Sequence, residues 1–263
     1  FAAVKNSQAA MPLTLYPGID LGYRPNEHWQ LYASYNSSLR MPSFTELYYA
    51  VGGHKADKHL RPEKLAAFET GVKYKSQWLR AQTNFFFNRH SDLIDWISDG
   101  STDADGALLW QSVNFGRIHT LGLQAQAELN LQALFPSQHI VQRMEVAYTY
   151  LHQKEHRPEG IVSKYALEYL RHKLVASLHL NPWKKLETSF YLRYHDRRGA
   201  YYNLDKQLTT YKPYALLDLR LQWREAHWIF TFDANNLLNT NYIDYGNVPQ
   251  PGFWCKAGVA YSF

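Results

Sequence analysis

The chain has 263 residues, 46% of them hydrophobic and 16% aromatic, with 20 Tyr, 8 Trp, one cysteine and a formal charge of +5. That length allows one large domain, but no run approaches the ~18 apolar residues of a membrane helix, and Cys255 alone excludes an internal disulfide framework. The basic residues form no single run and no recognition helix is visible, so the positive charge does not imply nucleic acid as a partner.

Alternation is the one pattern that could hide a membrane surface in so polar a chain, because a β-barrel turns every second residue towards lipid. It starts with Leu15, Pro17, Ile19, Leu21 and Tyr23, set against Tyr16, Gly18, Asp20 and Gly22. Next come Trp29, Leu31, Ala33 and Tyr35, then Phe68, Thr70, Val72 and Tyr74, then Leu79, Ala81, Thr83, Phe85 and Phe87. Leu121, Leu123, Ala125, Ala127 and Leu129 continue the pattern, followed by Met144, Val146, Tyr148 and Tyr150. Leu174 to Leu180, Leu186 to Tyr194, Ala215 to Trp223, Trp228 to Ala234 and Phe253 to Phe263 complete it. These segments predict about eleven strands, each close to the ten residues typical of a membrane barrel. The intervening positions carry Lys73, Arg80, Glu128, Glu145, Glu187, Arg193, Asp218, Arg220 and Asp233. A soluble sandwich would also alternate, so the connections have to decide.

The connections alternate in length. Short turns are expected at 24–28, 75–77, 181–185 and 224–226, with an intermediate one at 131–139, and long polar loops near 40–63, 98–107, 153–171, 196–213 and 237–252. Tyr23 with Trp29, Tyr74 with Trp78, Trp183, and Trp223 with Trp228 flank the short turns, as an interfacial aromatic girdle would. The expected fold is therefore an all-β, transmembrane antiparallel barrel with short periplasmic turns and long extracellular loops. Loop parity starts the first strand outside and brings Phe263 to the periplasmic rim. An odd strand count starting outside predicts the carboxy-terminal half of a barrel of about 22 strands. Residues 1–263 are then one portion of a single barrel domain, with earlier strands and any plug missing. The segment Phe1 to Lys5 has no signal-peptide pattern. An open half-sheet would leave two edges that lipid does not tolerate, so the missing half is expected to be needed for a stable barrel.

Several motifs then resemble the TonB-dependent outer-membrane receptors. Leu39-Arg40-Met41-Pro42 runs into Leu47-Tyr48-Tyr49, and Leu60-Arg61-Pro62-Glu63 precedes Glu69-Thr70-Gly71. Asn114-Phe115-Gly116 leads to Gly122-Leu123-Gln124, and Asn235-Asn236-Leu237-Leu238-Asn239 is followed by Tyr242 and by Pro251-Gly252. The terminal Phe263 is similar to the family's closing-strand signal. Two positions depart from the pattern: Phe253 follows Pro251-Gly252 where the family has arginine, and Gln124 stands for glutamate. Arg40, Pro42, Leu60, Pro62, Glu63, Asn235, Asn236, Leu237, Gly252 and Phe263 are read as structural, with the prolines and glycine setting loop angles and the asparagines tying loops to backbone.

The resemblance implies an active transporter for a scarce, large nutrient, not an enzyme, located in the Gram-negative outer membrane. The run from Tyr245 to Gly252 is similar to vitamin B12 receptor-like members from Bacteroidetes, which implies cobalamin as the small-molecule ligand, with haem or a ferric siderophore as the alternative and a passive porin-like channel behind both. Implied partners are the TonB complex through a plug, outer-membrane lipid and a surface lipoprotein. Candidate ligand contacts are Tyr48, Tyr49, His54, His59, Trp110, Tyr201, Tyr202, Tyr245 and Trp254, with Trp96 also in view, because aromatic faces suit a large planar ligand. His54 and His59 lie where haem receptors of the family carry an iron ligand, but the flanking residues differ. Asp99, Asp103, Asp105 and Gly106 have some calcium character without the spacing of a calcium loop. No metal or cofactor is expected, and no catalytic motif appears. Arg197, Arg198, Lys206 and Lys212 are candidates for an anionic ligand or lipopolysaccharide.

Overall fold

A computed structural model describes residues 15–114, 116–155, 161–164, 168–205 and 207–263. Phe115 and Lys206, both singled out by the sequence, lie outside the described residues.

Strands β1 (Gly18–Tyr23) and β2 (Trp29–Arg40) form the first hairpin. Helix α1 (Phe44–Tyr48) and the two-residue β3 (His54–Lys55) occupy the connection to β4 (Glu63–Lys75), which turns tightly into β5 (Leu79–Ser91). The next connection carries a hairpin of β6 (Ile94–Ser98) and β7 (Trp110–Asn114). Then come β8 (Arg117–Asn130), α2 (Leu131–Leu134), β9 (Val141–Glu155), the two-residue β10 (Val162–Ser163), and the long pair β11 (Tyr169–Trp183) and β12 (Leu186–Arg198). The small strands β13 (Ala200–Tyr202) and β14 (Leu208–Thr210) precede β15 (Tyr214–Glu225), β16 (Trp228–Asn235) and β17 (Trp254–Tyr261).

Eleven strands pair in one antiparallel sheet, in the order β1-β2-β4-β5-β8-β9-β11-β12-β15-β16-β17. This matches the expected count and makes every neighbour in the sheet a neighbour in chain order. Among the described residues the sheet is open, with β1 and β17 at its edges. The alternation works as read. Leu31 opposite Val72, Tyr35 opposite Phe68, Phe85 opposite Leu123 and Phe230 opposite Val259 share one face. On that face Leu31, Phe68, Phe85, Phe230 and Val259 are all exposed. Apolar exposure this continuous identifies a surface made to be covered, and lipid is what covers the outside of a barrel. The aromatics at the short turns stand on the same face: Trp29 packs on Tyr74, and Trp228 on Tyr261, each at 4.7 Å between ring centroids.

The opposite face is a lattice of polar pairs. Arg193 meets Asp218 at 2.6 Å, Arg220 meets Asp233 at 2.8 Å, Arg224 meets Glu187 at 3.0 Å, and Arg80 meets Glu128 at 3.6 Å. Tyr32 donates to Glu69, which also accepts from Asn84. Apolar residues also occur on this face, among them Phe86. Phe86 pairs with Gly122 and lies over it, where a Cβ would collide with the ring. The glycine removes the obstacle and the ring covers the bare backbone.

Buried hydrophobic residues are sparse in the barrel wall and concentrate at the long-loop end. Ile94, Trp96 and Ile118 are buried there, with Leu93, Ile97, Val113 and Ile161 packed on Ile118. The scaffold is a second sheet, β10-β6-β7-β3, whose strands come from three different loops. The sequence treated 98–107 as loop and did not foresee this sheet. Its strands are too short for alternation to be read, and its pairings are set by which loops the barrel brings together.

Candidate functional site

The family motifs act as joints of the loops. Arg40 bridges Glu63 at 2.9 Å and Glu46 at 3.1 Å, joining the end of β2 to the start of β4 and to α1. Ser43 and Glu46 close a capping box on α1, reciprocally satisfying two backbone donors. The side chain of Asn114 donates to the carbonyls of Arg61 and Asp92 and accepts from the Arg61 amide, while the Arg61 guanidinium pairs with Asp92 at 2.6 Å. Asn236, 3% exposed and at φ 53°, donates to the carbonyls of Thr240 and Pro251 and accepts from the Thr240 amide. Gly252 leaves room for the Asn239 carboxamide, which accepts from the Phe253 amide.

Two of the motif readings are corrected. Asn235 was expected to tie the same loop, yet its buried Nδ2 has no hydrogen-bond partner among the described residues. Phe263 was placed in the closing strand, but β17 ends at Tyr261, and the fully exposed Phe263 lies beyond it, edge to face with Tyr261 at 5.3 Å.

Of the nine predicted ligand contacts, the loop sheet gathers Tyr49, His54, Trp110 and Tyr245. β3 runs parallel to β7, pairing His54 with Trp110. The buried Trp96 on β6 packs edge-on against His54 at 5.1 Å and Tyr49 at 6.5 Å. Lys164, just beyond β10, places its ammonium 5.6 Å from the Trp110 ring centre and 3.2 Å from His54 Nε2. The Tyr245 hydroxyl donates to the Lys164 carbonyl at 3.3 Å. Four long connections therefore meet at Lys164, a residue the sequence reading missed and for which no local pattern exists.

His54 is poorly set up to hold iron here. Its Nδ1 lies 3.2 Å and 3.1 Å from the carbonyls of Val51 and Gly52, so that nitrogen carries the proton. Nε2 is then the acceptor, and the Lys164 ammonium donates to it. His59 sits apart on an exposed turn held by Asp57. The acidic loop is also self-contained: Asp103 accepts from the amides of Asp105 and Ala107, and Asp99 from Ser101.

A second group flanks the first. Asp244 accepts from the Tyr214 hydroxyl at 2.7 Å and pairs with Arg197 at 3.4 Å; His195 Nδ1 lies 2.8 Å from the same hydroxyl. Tyr211 donates to Glu168 at 2.9 Å and accepts from the Gly246 amide. Tyr201 packs at a tilt on Tyr211, 4.9 Å between ring centroids, beside a cleft of about 530 Å³ lined by Tyr214, Tyr242 and Lys212. Burial would raise the Asp244 carboxyl, but the Tyr214 hydrogen bond and the Arg197 charge outweigh it and hold it below the ordinary range. Glu168 is shifted the other way, raised by burial with Tyr211 and Arg197 only partly opposing. Burial and the Glu168 hydrogen bond push the Tyr211 phenol up, so it remains a donor.

Asp244, Tyr245 and Gly246 thus fasten the 236–253 loop to β12, to β15 and to the connections that hold Lys164 and Tyr211. Tyr48, Tyr202 and Trp254 join neither group. Tyr48 packs on Phe44, Tyr202 reaches towards Gly100, and Trp254 lies at the sheet edge over Lys256. Of the basic residues singled out from the sequence, Arg197 is bound by Asp244, Arg198 lines a cleft with Glu168 and Arg171, and Lys212 lines the tyrosine cleft.

With this geometry in view, residues 7–237 match the family model described as "TonB dependent receptor-like, beta-barrel". A stretch of 109 residues is 24% identical to the vitamin B12 transporter BtuB of Vibrio vulnificus, covering 41% of this chain and 16% of that protein. Among solved structures, the FrpB iron transporter of Neisseria meningitidis (F3-3 variant) superposes with a TM-score of 0.68 at 19% identity, over 95% of this chain and 38% of that one. The ferric enterobactin receptor PfeA of Pseudomonas aeruginosa, an R480A mutant in complex with enterobactin, gives 0.71 at 18% identity, over 94% and 40%. The copper transporter OprC gives 0.71 at 14% identity, over 94% and 39%. At these identities the solved structures establish the fold, and the chain spans about two fifths of their length.

Proposed function

The chain belongs to the TonB-dependent receptor-like β-barrel family, and from that premise we propose that it serves the active uptake of a scarce, large nutrient across the outer membrane, with cobalamin as the cargo. Receptors of this family reside in the outer membrane, interact with TonB and bind small molecules. The observation that carries the cargo assignment is the stretch resembling a vitamin B12 transporter. The aromatic side chains around the loop sheet support this reading. The half-buried Trp110 ring, with the exposed Tyr49 and Tyr245 on the same loop cluster, offers aromatic surface with the Lys164 ammonium 5.6 Å from the Trp110 ring centre. A broad macrocycle can lay its face on such rings while its polar rim meets Lys164 and the loop carbonyls. Energy coupling through a plug domain, and a surface lipoprotein as accessory partner, belong to the same proposal.

Haem or a ferric siderophore is the alternative cargo. The presence of His54 among the rings favours haem, and the Lys164 ammonium on its Nε2 opposes it, because iron would have to displace that cation. A titration of the purified receptor with cyanocobalamin, haemin and a ferric siderophore, read by tryptophan fluorescence, separates these readings. Cyanocobalamin is expected to bind saturably, and Trp110→Ala and Tyr49→Ala each to weaken it about tenfold, the loss of one stacking contact of about 1.4 kcal/mol. Tight haemin binding with none of cyanocobalamin would overturn the cargo assignment.

A further inference from the structure

The tyrosines beside the 236–253 loop line a cleft apart from the rings assigned to the cargo. Its volume of about 530 Å³ suits a small molecule. Strands β13 and β14 with the run into β15 form one side, and the loop after β16 forms the other. That loop is seated along β15: the Thr240 hydroxyl donates to the Ala215 carbonyl, and the Leu237 amide to the Leu217 carbonyl.

The walls are rings already held in place. Tyr201 packs on Tyr211 with centroids 4.9 Å apart and planes inclined by 42°, and Tyr214 on Tyr242 at 4.5 Å and 34°. The Tyr211 hydroxyl is committed to Glu168 and the Gly246 amide, and the Tyr214 hydroxyl to Asp244. Those bonds fix the buried Tyr211 and Tyr214, on which the half-buried Tyr201 and Tyr242 rest. A ligand entering the cleft therefore has little side-chain ordering left to offset. Two pairs of tilted rings make a broken apolar surface. The C–H face of a puckered sugar ring fits such a surface, whereas a flat macrocycle lies best on coplanar rings.

The polar groups of the cleft complete the match. Thr210, Lys212 and Asn241 line it, are exposed, and make no side-chain hydrogen bond or ion pair among the described residues. A hydroxyl and a carboxamide both donate and accept, as sugar hydroxyls do. Lys212 carries the one charge among the described lining residues, and no acid stands beside it there. An ammonium left unpaired at an apolar cleft favours an anionic group on the ligand.

We propose that this cleft is a second binding site, for a sugar residue that carries a carboxylate. The ring lies on Tyr201 and Tyr242, its hydroxyls meet Thr210 and Asn241, and the carboxylate takes Lys212. The site is independent of the cargo assignment, which rests on Tyr49, Trp110 and Tyr245.

The test is saturation-transfer NMR of the detergent-solubilised receptor titrated with trigalacturonate, with its methyl ester, and with benzoate. The wild type is expected to bind trigalacturonate saturably and at least tenfold more tightly than the ester, which lacks the charge, or benzoate, which keeps the carboxylate on a flat ring. Cyanocobalamin is expected not to displace it. Tyr201→Ala/Tyr242→Ala should lose at least tenfold, Tyr201→Phe/Tyr242→Phe should keep the binding, and Lys212→Gln should bring trigalacturonate down to the affinity of the ester. Absence of saturable binding to the wild type overturns the proposal without any variant having to fold. Equal binding of acid and ester, equal binding of benzoate, or displacement by cyanocobalamin overturns it as well.

Discussion

Replacing Asn236 by alanine tests the reading of the family motifs as joints. The side chain makes three hydrogen bonds, to the Thr240 carbonyl at 2.9 Å, the Pro251 carbonyl at 3.3 Å and the Thr240 amide at 2.9 Å, in a site only 3% exposed. Each is worth about 1 kcal/mol net, and more where its loss strands a buried backbone group. The backbone at φ 53° suits asparagine and costs alanine about 1 kcal/mol more. The expected loss is about 4 kcal/mol. It would be read as a shift in the urea midpoint of the receptor refolded in detergent micelles, at constant m-value. Asn236→Gly removes the same hydrogen bonds without the backbone strain and should recover about 1 kcal/mol of the loss. A loss below about 1 kcal/mol for Asn236→Ala, or glycine no better than alanine, would refute the reasoning.

Three further outcomes follow from the same geometry. Phe232→Arg puts a cation into the exposed apolar band and should cost about 2–4 kcal/mol in lipid vesicles, whereas Thr231→Arg, one residue along and on the opposite face, should cost about 0.5 kcal/mol or less. Gly122→Ala drives a methyl group into the Phe86 ring and should cost about 1–3 kcal/mol, and adding Phe86→Ala should relieve the overlap in a double-mutant cycle. The loop acids should respond to pH in opposite senses. Asp244, held low, stabilises the 236–253 loop above the ordinary carboxylate range and loses that effect as pH falls through its lowered value. Glu168, held high, favours the folded loop most when protonated and loses that contribution as pH rises through its raised value. Hydrogen exchange of the Asp244–Gly246 amides as a function of pH reads both, and Asp244→Asn should abolish the acid-side response while leaving the Glu168 response.

The barrel wall was legible because each strand is long enough for its own alternation to specify a face. Eleven sets of residues such as Phe230, Phe232 and Ala234 predict eleven strands whatever surrounds them. Phe86 escaped notice for the same reason: it sits on the polar face by virtue of Gly122 on the next strand, a pairing that no single strand contains. The loop site was legible only in residue type. Tyr49, His54, Trp110 and Tyr245 were picked as aromatic or imidazole groups in long loops, but Tyr48, Tyr202 and Trp254 were picked on the same ground and lie elsewhere. What separates them is the small sheet of β3, β6, β7 and β10, whose two- to five-residue strands have no readable period. Lys164 and Asp244 had no signal at all, since their importance comes from partners more than 30 residues away, such as His54 and Arg197.

The most direct test of the account is accumulation of labelled cyanocobalamin by cells whose sole route for it is the receptor carrying this chain. The account predicts saturable accumulation that a protonophore abolishes while binding at the cell surface persists, with surface binding about tenfold weaker for Trp110→Ala. Accumulation indifferent to the protonophore, or import of haemin or a ferric siderophore with none of cyanocobalamin, would contradict it.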